Sequence, residues 1–258
     1  MAVGAIRISE DVLRVLSAAE ITGNALALTG QLDRKLYEQT NKVLDAAGGK
    51  WNRKAKAHLF DGDAAEAIEP IILTGEYTRT KQEFGQFDSP PDVVRRVIEL
   101  ADIRPGMLVL EPSAGVGNLA LAAHHEGGIV TAWEIDPNRF DKLKSLDIWS
   151  ETACPVLVDA LQQDPYFEYA ERFDRVVMNP PFARQDDIRH VIHAANFLKD
   201  GGRLVAVMSA SVLFRDNKLT TDFRAFVEAC DGTIERLPED SFKESGTSVN
   251  TCVVSFNV

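Results

Sequence analysis

The sequence predicts an α/β fold: a mostly parallel seven-stranded sheet whose last strand runs antiparallel, preceded by a small helical extension. Three observations carry this expectation. Short β-branched runs alternate with helical stretches from about residue 84 onward, a glycine-rich turn joins the first run to a helix, and the residues up to 83 show helical spacing alone. Residues 1–83 are therefore read as the extension and residues 84–258 as the main domain, a division that fits a chain of 258 residues.

In the extension, Ile8, Val12, Val15, Leu16 and Ala19 recur at helical spacing, with Glu10 and Asp11 where a first turn favours acids. Leu32, Leu36, Val43, Leu44 and Ala47 form a second stripe, which Gly48-Gly49 stops. Asp63 is placed to cap a third helix, with Glu66 three residues on and an end near Thr74-Gly75. The main domain predicts strands over 107–111, 129–134, 155–158, 173–178, 203–208, 233–237 and 250–257. Helices near 91–101, 117–126, 137–147, 186–199 and 217–230 fill the gaps. Only a loop separates the last two strands, so they are expected to pair antiparallel at the sheet edge.

Composition narrows the function classes. Hydrophobic residues make up 45% and charged residues 26%, which argues against disorder and fibrous repeats. No apolar run reaches the ~18 residues of a membrane helix, and the first residues lack the basic and apolar regions of a secretory leader, so a cytoplasmic protein with no membrane partner is expected. Cys154, Cys230 and Cys252 lie far apart without metal-ligand spacing and read as packed, reduced thiols, with no metal site. A net charge of −11, spread evenly, would repel nucleic acid. The spread is uneven: residues 34–58 hold Arg34, Lys35, Lys42, Lys50, Arg53, Lys54 and Lys56 against only Glu38 and Asp45. A polyanion would find its site there.

The first predicted strand runs into Glu111-Pro112-Ser113-Ala114-Gly115-Val116-Gly117-Asn118, a turn in which backbone approaches a ligand closely. Glu134 ends the second strand, placed for its carboxyl group to accept hydrogen bonds from both ribose hydroxyls of a nucleoside. These features alone leave open a nicotinamide or flavin enzyme, and equally a tight turn without a ligand. Glu111 favours a third option. An acid at that turn repels a pyrophosphate and suits the ammonium and sulfonium of S-adenosylmethionine.

After the fourth strand comes Asn179-Pro180-Pro181-Phe182. The exocyclic nitrogen of adenine is a poor nucleophile because its lone pair is delocalised into the ring. The Asn179 side-chain carbonyl and the Pro180 backbone carbonyl would bind both amino hydrogens and draw the nitrogen toward tetrahedral geometry. Pro180 and Pro181 restrict the chain and hold these acceptors rigid, and Phe182 can stack on the base. A polar turn whose prolines merely stop strand pairing is the plain alternative, weakened by the glycine turn and Glu134 in the same sheet.

This ordered set of motifs resembles the amino-methyltransferases of the seven-stranded S-adenosylmethionine-dependent superfamily, most closely the γ-class DNA adenine-N6 methyltransferases, over roughly residues 84–258. The resemblance implies a Rossmann-like methyltransferase sheet. It implies that Phe84, Gln86, Phe87, Ser89 and Pro90, in the stretch Phe84 to Pro91, contact the methionine moiety, with Ser89 where the family usually has threonine. Glu111, Pro112, Ser113, Gly115, Gly117 and Asn118 match the donor loop, and Glu134 and Ile135 the ribose-binding segment. Asp159 and Ala160 match the segment that contacts the donor's adenine, and Asn179 adjoins the donor as well as the base. The stretch Leu237 to Phe242, then Gly246-Thr247 to Val254, resembles the family's last hairpin, whose aromatic residue lines the base pocket.

The γ class commonly carries a recognition domain after the catalytic one, and here the sequence ends with the last strand, so recognition is expected in the extension. Lys50, Trp51, Asn52, Arg53, Lys54, Lys56 and His58 are its candidates for contacting phosphates, base edges or the space left by a flipped nucleotide, with a merely solvated basic loop as the alternative. Arg215, in the loop after the fifth strand, is a further phosphate candidate. His124, His125, His190 and His193 lack partners at metal spacing and read as structural. The leading expectation is methylation of a flipped adenine in double-stranded DNA, with a homodimer suited to reading a palindrome. The rivals are RNA adenine-N6 or guanine-N2 methylation, protein glutamine methylation, and a non-catalytic nucleic-acid-binding module.

Overall fold

The computed structural model describes residues 6–77, 87–165, 172–245 and 249–258. The chain divides into two compact units, Met1–Gly85 with Ala210–Asp222, and Gln86–Ser209 with Phe223–Val258.

In the first unit, β1 (Ile6–Arg7) pairs antiparallel with β6 (Glu76–Tyr77). Between them lie α1 (Glu10–Ser17), β2 (Glu20–Thr22), β3 (Ala25–Ala27), α2 (Arg34–Ala46), β4 (Lys50–Asn52), β5 (Ala57–Leu59) and α3 (Ala64–Thr74). All three expected helices form, and the reasons are local. Asp33 accepts from the Leu36 amide at 2.9 Å, and Asp63 from those of Ala65 and Glu66 at 2.9 and 3.1 Å. Gly75, left-handed at φ 69°, closes α3. Val12, Leu16, Val43, Leu44, Ile68 and Phe214 meet in this unit's core.

The extension is not helical throughout, which corrects the reading from sequence. β2, β3, β5 and β4 form, in that order, an antiparallel sheet of three-residue strands. Runs that short hold too little alternation for a period-two pattern to register. The Gly23-Asn24 turn joining β2 to β3 was the available hairpin signal.

The second unit runs α4 (Pro91–Ala101), β7 (Leu108–Glu111), α5 (Asn118–His125), β8 (Ile129–Glu134), α6 (Pro137–Lys144), β9 (Cys154–Leu157), β10 (Phe173–Met178), α7 (Asp186–Ala195) and β11 (Leu198–Ser209). Helix α8 (Lys218–Ala229), which belongs to this unit from Phe223, β12 (Thr233–Arg236) and β13 (Thr251–Asn257) follow. The seven strands lie in the order β12-β13-β11-β10-β7-β8-β9. Strands β9, β8, β7, β10 and β11 pair in parallel, and β13 inserts antiparallel between β11 and β12. Their apolar runs are covered on both faces, as parallel strands require: Val109, Leu110, Val130, Val176, Val177, Leu204 and Val205 have no exposed surface.

One boundary moves. The helix expected to 199 stops at Ala195, because the Asn196 side chain donates to the Ile192 and His193 carbonyls and closes its last turn, and β11 starts at Leu198. The three cysteines are free, and Cys154, read as packed, is exposed, whereas Cys252 is buried. Among the described residues no helix is long and apolar enough to cross a membrane.

Replacing Asp63 by alanine strips two amides of α3 of their acceptor. Urea unfolding of Asp63→Ala is expected to show a loss of about 1 kcal/mol, with Asp63→Asn retaining most of it.

Candidate active site

Every residue of the proposed donor and base sites follows the C-terminal end of a parallel strand, except those of the lead-in to α4. These ends form one rim of the sheet, the edge at which open α/β sheets bind ligands. A cleft opens there between β7 and β10, walled by Phe87, Asp88, Ser89, Glu111, Ser113, Ala114, Gly115, Asn118, Leu119, Arg139 and Asn179.

Gly115 and Gly117 turn the chain from β7 into α5 at φ of 60° and 94°, a region costly for residues with a Cβ. A Cβ would also crowd side-chain ends that can shift, the Arg139 guanidinium at Gly115 and Leu143 and Leu146 at Gly117, so the backbone conformation is the firmer constraint. Glu134, buried at the end of β8, holds this turn in place. One of its oxygens accepts from the Gly115 amide at 2.6 Å, and the other from the amides of Ile135 and Asp136 at 2.9 and 2.8 Å. Three acceptor positions of a carboxyl group are thereby committed, so Glu134 shapes the loop besides facing the rim.

Glu111 behaves differently from the charge its sequence position suggests. It is 2% exposed, and its Oε2 has no hydrogen-bond partner. Burial pushes its carboxyl well above the ordinary carboxylate range, against a backbone hydrogen bond from Ala120 and with a further push from Glu134. Burial thus disfavours its charged form. A cation beside it would favour ionisation.

Asn179 ends β10. Its amide nitrogen donates to the Phe87 carbonyl at 2.9 Å and to the Ser89 hydroxyl at 3.0 Å, so both amide hydrogens are used and Oδ1 is left as an acceptor. Ser89, 5% exposed, also presents its carbonyl to the Asn118 side chain at 2.9 Å. Pro90 caps α4, and Pro91 is its first residue. Asp88 spans the cleft mouth to Arg139 at 2.5 Å, and its carbonyl accepts from Ser245 at 2.7 Å. Sequence reasoning gave Asp88 and Arg139 no role, and no spacing rule links residues 51 positions apart.

Pro180 is buried and Pro181 half-buried. Arg184 and Gln185, just after the tetrapeptide, are consecutive left-handed residues that swing the chain into α7. Phe182 is only 8% exposed, and its ring meets Phe242 edge-on at 6.5 Å. Phe242, expected in the base pocket, is fully buried and backs Phe182 instead.

The other candidates separate. Pro112 is buried, and Ile135 is 55% exposed at the start of the loop after β8. Asp159 caps the turn Ala160–Gln162, accepting from Leu161 and from the Gln162 side chain, and Ala160 is buried. Phe84, Gln86, Gly246 and Thr247 lie outside the described residues. In the first unit, Lys50, Trp51, Arg53, Lys54 and Lys56 are exposed and Asn52 half-buried. Two candidates there are corrected. His58 has no exposed surface, and burial lowers its pKa against the pull of Asp45, so it is a neutral packed ring. Arg215 is 4% exposed and paired with Glu69 at 2.8 Å, which leaves no charge for a phosphate.

The locked amide predicts that Ser89→Ala, losing one of two orienting bonds, lowers turnover about five-fold while donor affinity changes little, and that Ser89→Thr restores it. Glu111→Gln is expected to remove the cost of a buried ionisable group. The wild-type fold loses stability as pH rises from the unfolded carboxylate range through the raised folded pKa, so the variant should melt higher at pH 8 and gain little at pH 4.

A family model for the methyltransferase small domain matches residues 98–233. A ribosomal RNA small subunit methyltransferase A of Corynebacterium efficiens is 33% identical over 111 residues, 41% of this chain and 38% of that protein. The Type II methyltransferase M.TthHB8I of Thermus thermophilus is 33% identical over 108 residues, 41% of this chain and 23% of that protein. The chain thus spans well under half the length of these relatives. Among solved structures, the methyltransferase subunit of a type I restriction-modification system from Streptococcus thermophilus superposes with a TM-score of 0.58 at 20% identity, covering 74% of this chain and 48% of that one. With more than half of its residues matched by that one family model, the chain belongs to the methyltransferase small domain family.

Proposed function

We propose that this protein transfers a methyl group from S-adenosylmethionine to the exocyclic N6 of an adenine in DNA. The observation that carries the reading is the Asn179 amide, fixed by Phe87 and Ser89 so that only its oxygen is offered, at the rim that also holds the glycine turn. S-adenosylmethionine is the methyl donor of the family. The residues present fit it: Gly115 and Gly117 give the turn a left-handed backbone that side chains disfavour, and Glu111 keeps a buried oxygen without a partner. When bound, the donor supplies an electrophilic methyl carried on a sulfonium.

The chain's own residues do the rest. Asn179 Oδ1 accepts one amino hydrogen of the base and the Pro180 carbonyl accepts the other, an arrangement that aims the nitrogen lone pair outward. Both acceptors sit on a backbone that prolines restrict, so little reorganisation is needed as charge develops. Glu111, once ionised by a neighbouring cation, complements the donor's positive charge, and Glu134 keeps the Gly115 backbone in register. Phe182, backed by Phe242, bounds the base side. The base must leave the duplex, since its amino group is otherwise held in the pair.

A second reading, the same chemistry on RNA, is favoured by the ribosomal RNA methyltransferase among the relatives. Incubation with radiolabelled donor and unmethylated duplex DNA or RNA separates the two. Label is expected in adenine of DNA, and Asn179→Ala should lose it by about a hundred-fold or more, the scale of removing one preorganised polar contact. Label confined to RNA would sink the DNA reading. Undiminished labelling by the variant would sink the mechanism.

A further inference from the structure

The β4–β5 hairpin of the first unit gathers four cations, Lys50, Arg53, Lys54 and Lys56, within seven residues. The chain carries a net charge of −11, and several guanidinium groups elsewhere are matched, as in Arg96 with Glu235, Arg139 with Asp88, and Arg215 with Glu69. Lys50, Arg53, Lys54 and Lys56 are all exposed, and among the described residues none of the four takes part in an ion pair. They stand on a rigid support. Asn52 Oδ1 accepts from the amides of Lys54 and Ala55, both at 3.0 Å, and Lys56 closes the turn at φ 51°.

Between these cations stands Trp51, 51% exposed. It is registered directly opposite His58 on β5, and its ring leans on that buried imidazole at 5.2 Å and 59°. The indole thus rests against that ring at a tilt while about half of its surface meets solvent. Edge strands do carry lysines to discourage pairing with other chains, and β4 is an edge strand. That role does not account for Arg53, Lys54 and Lys56, which lie in the turn outside the ladder, and an exposed tryptophan on the edge works against it.

Uncommitted cations at close spacing around a supported aromatic face match the chemistry of a nucleic-acid strand, with phosphates at regular intervals and a flat base between them. We propose that the β4–β5 hairpin binds the DNA substrate, Lys50, Arg53, Lys54 and Lys56 taking backbone phosphates and Trp51 stacking on an unpaired base. The choice of DNA rests on the functional reading above.

The test uses the full-length chain with a fluorescent single-stranded oligodeoxynucleotide, the same strand in a duplex, an RNA of the same sequence, and heparin as a polyanion without bases. The parent is expected to bind the DNA strand with strong salt dependence and with quenching of tryptophan emission that heparin does not cause. The triple variant Arg53→Ala, Lys54→Ala, Lys56→Ala should lose at least ten-fold in affinity and about two from the slope of log K against log salt, at roughly 0.7 per cation on a single strand. Trp51→Ala should lose roughly five-fold or more and abolish the quenching, with Trp51→Phe between. A donor-induced thermal shift equal to the parent's certifies the fold of each variant. Unchanged affinity and slope in the triple variant overturn the proposal, as does quenching by heparin equal to that by DNA; an RNA preferred ten-fold over DNA overturns its choice of partner. If the variants lose binding but no nucleic acid is ever methylated, the functional reading falls and the hairpin assignment stands. If DNA is methylated while the variants bind like the parent, the reverse holds.

Discussion

A primary amide has two hydrogens to give and one oxygen with which to receive, and at Asn179 both hydrogens are already given, to Phe87 and to Ser89. That constraint leaves the amide oxygen as the group offered at the rim. Were the amide free to turn over, the position beside the glycine loop would alternate between donor and acceptor, and an amino group brought to it would meet repulsion half of the time. Fixing the oxygen outward requires residues 87–89 to stand beside the end of β10. This in turn requires α4, which those residues lead into, to cover the sheet next to β10 and β11, where contacts join them. The position of a helix and the identity of a hydrogen-bond acceptor are thus parts of one arrangement.

Two acids flank the glycine turn, and their surroundings give them unlike duties. Glu134 spends its oxygens on three backbone amides, which makes it a brace for the loop. Glu111 has an oxygen with no partner, and burial disfavours its charged form. A positive centre brought beside it would favour ionisation and satisfy that oxygen.

The sheet was legible because parallel strands buried on both faces are long apolar runs with few alternatives, and because Pro91, Pro137 and Gly117 punctuate the helices where they start. The glycine turn after β7, Glu134 at the end of β8 and the tetrapeptide after β10 were legible as local structure for the same reason: each is contiguous, and its residue types restrict the backbone. What escaped was of two kinds. Short strands in the first unit lacked the length for a period to show, and contacts between distant residues left no trace in spacing. The Asp88–Arg139 pair, the bond from Ser245 to Asp88, and the claims of Glu69 on Arg215 and of burial on His58 are all of the second kind. A charge or an imidazole read along the chain looks available until the fold supplies its partner.

Residues 87–90 gather their ties from Asn118, Arg139, Asn179 and Ser245, which lie 29, 51, 90 and 157 positions from their partners there. The last of these anchors lies farthest along the chain from the residue it ties, so the wall closes only after distant segments have met. Loop closures over such separations are slow relative to local helix formation. The rim therefore closes after its local elements: most helices and strands can form while the wall beside Asn179 is still open.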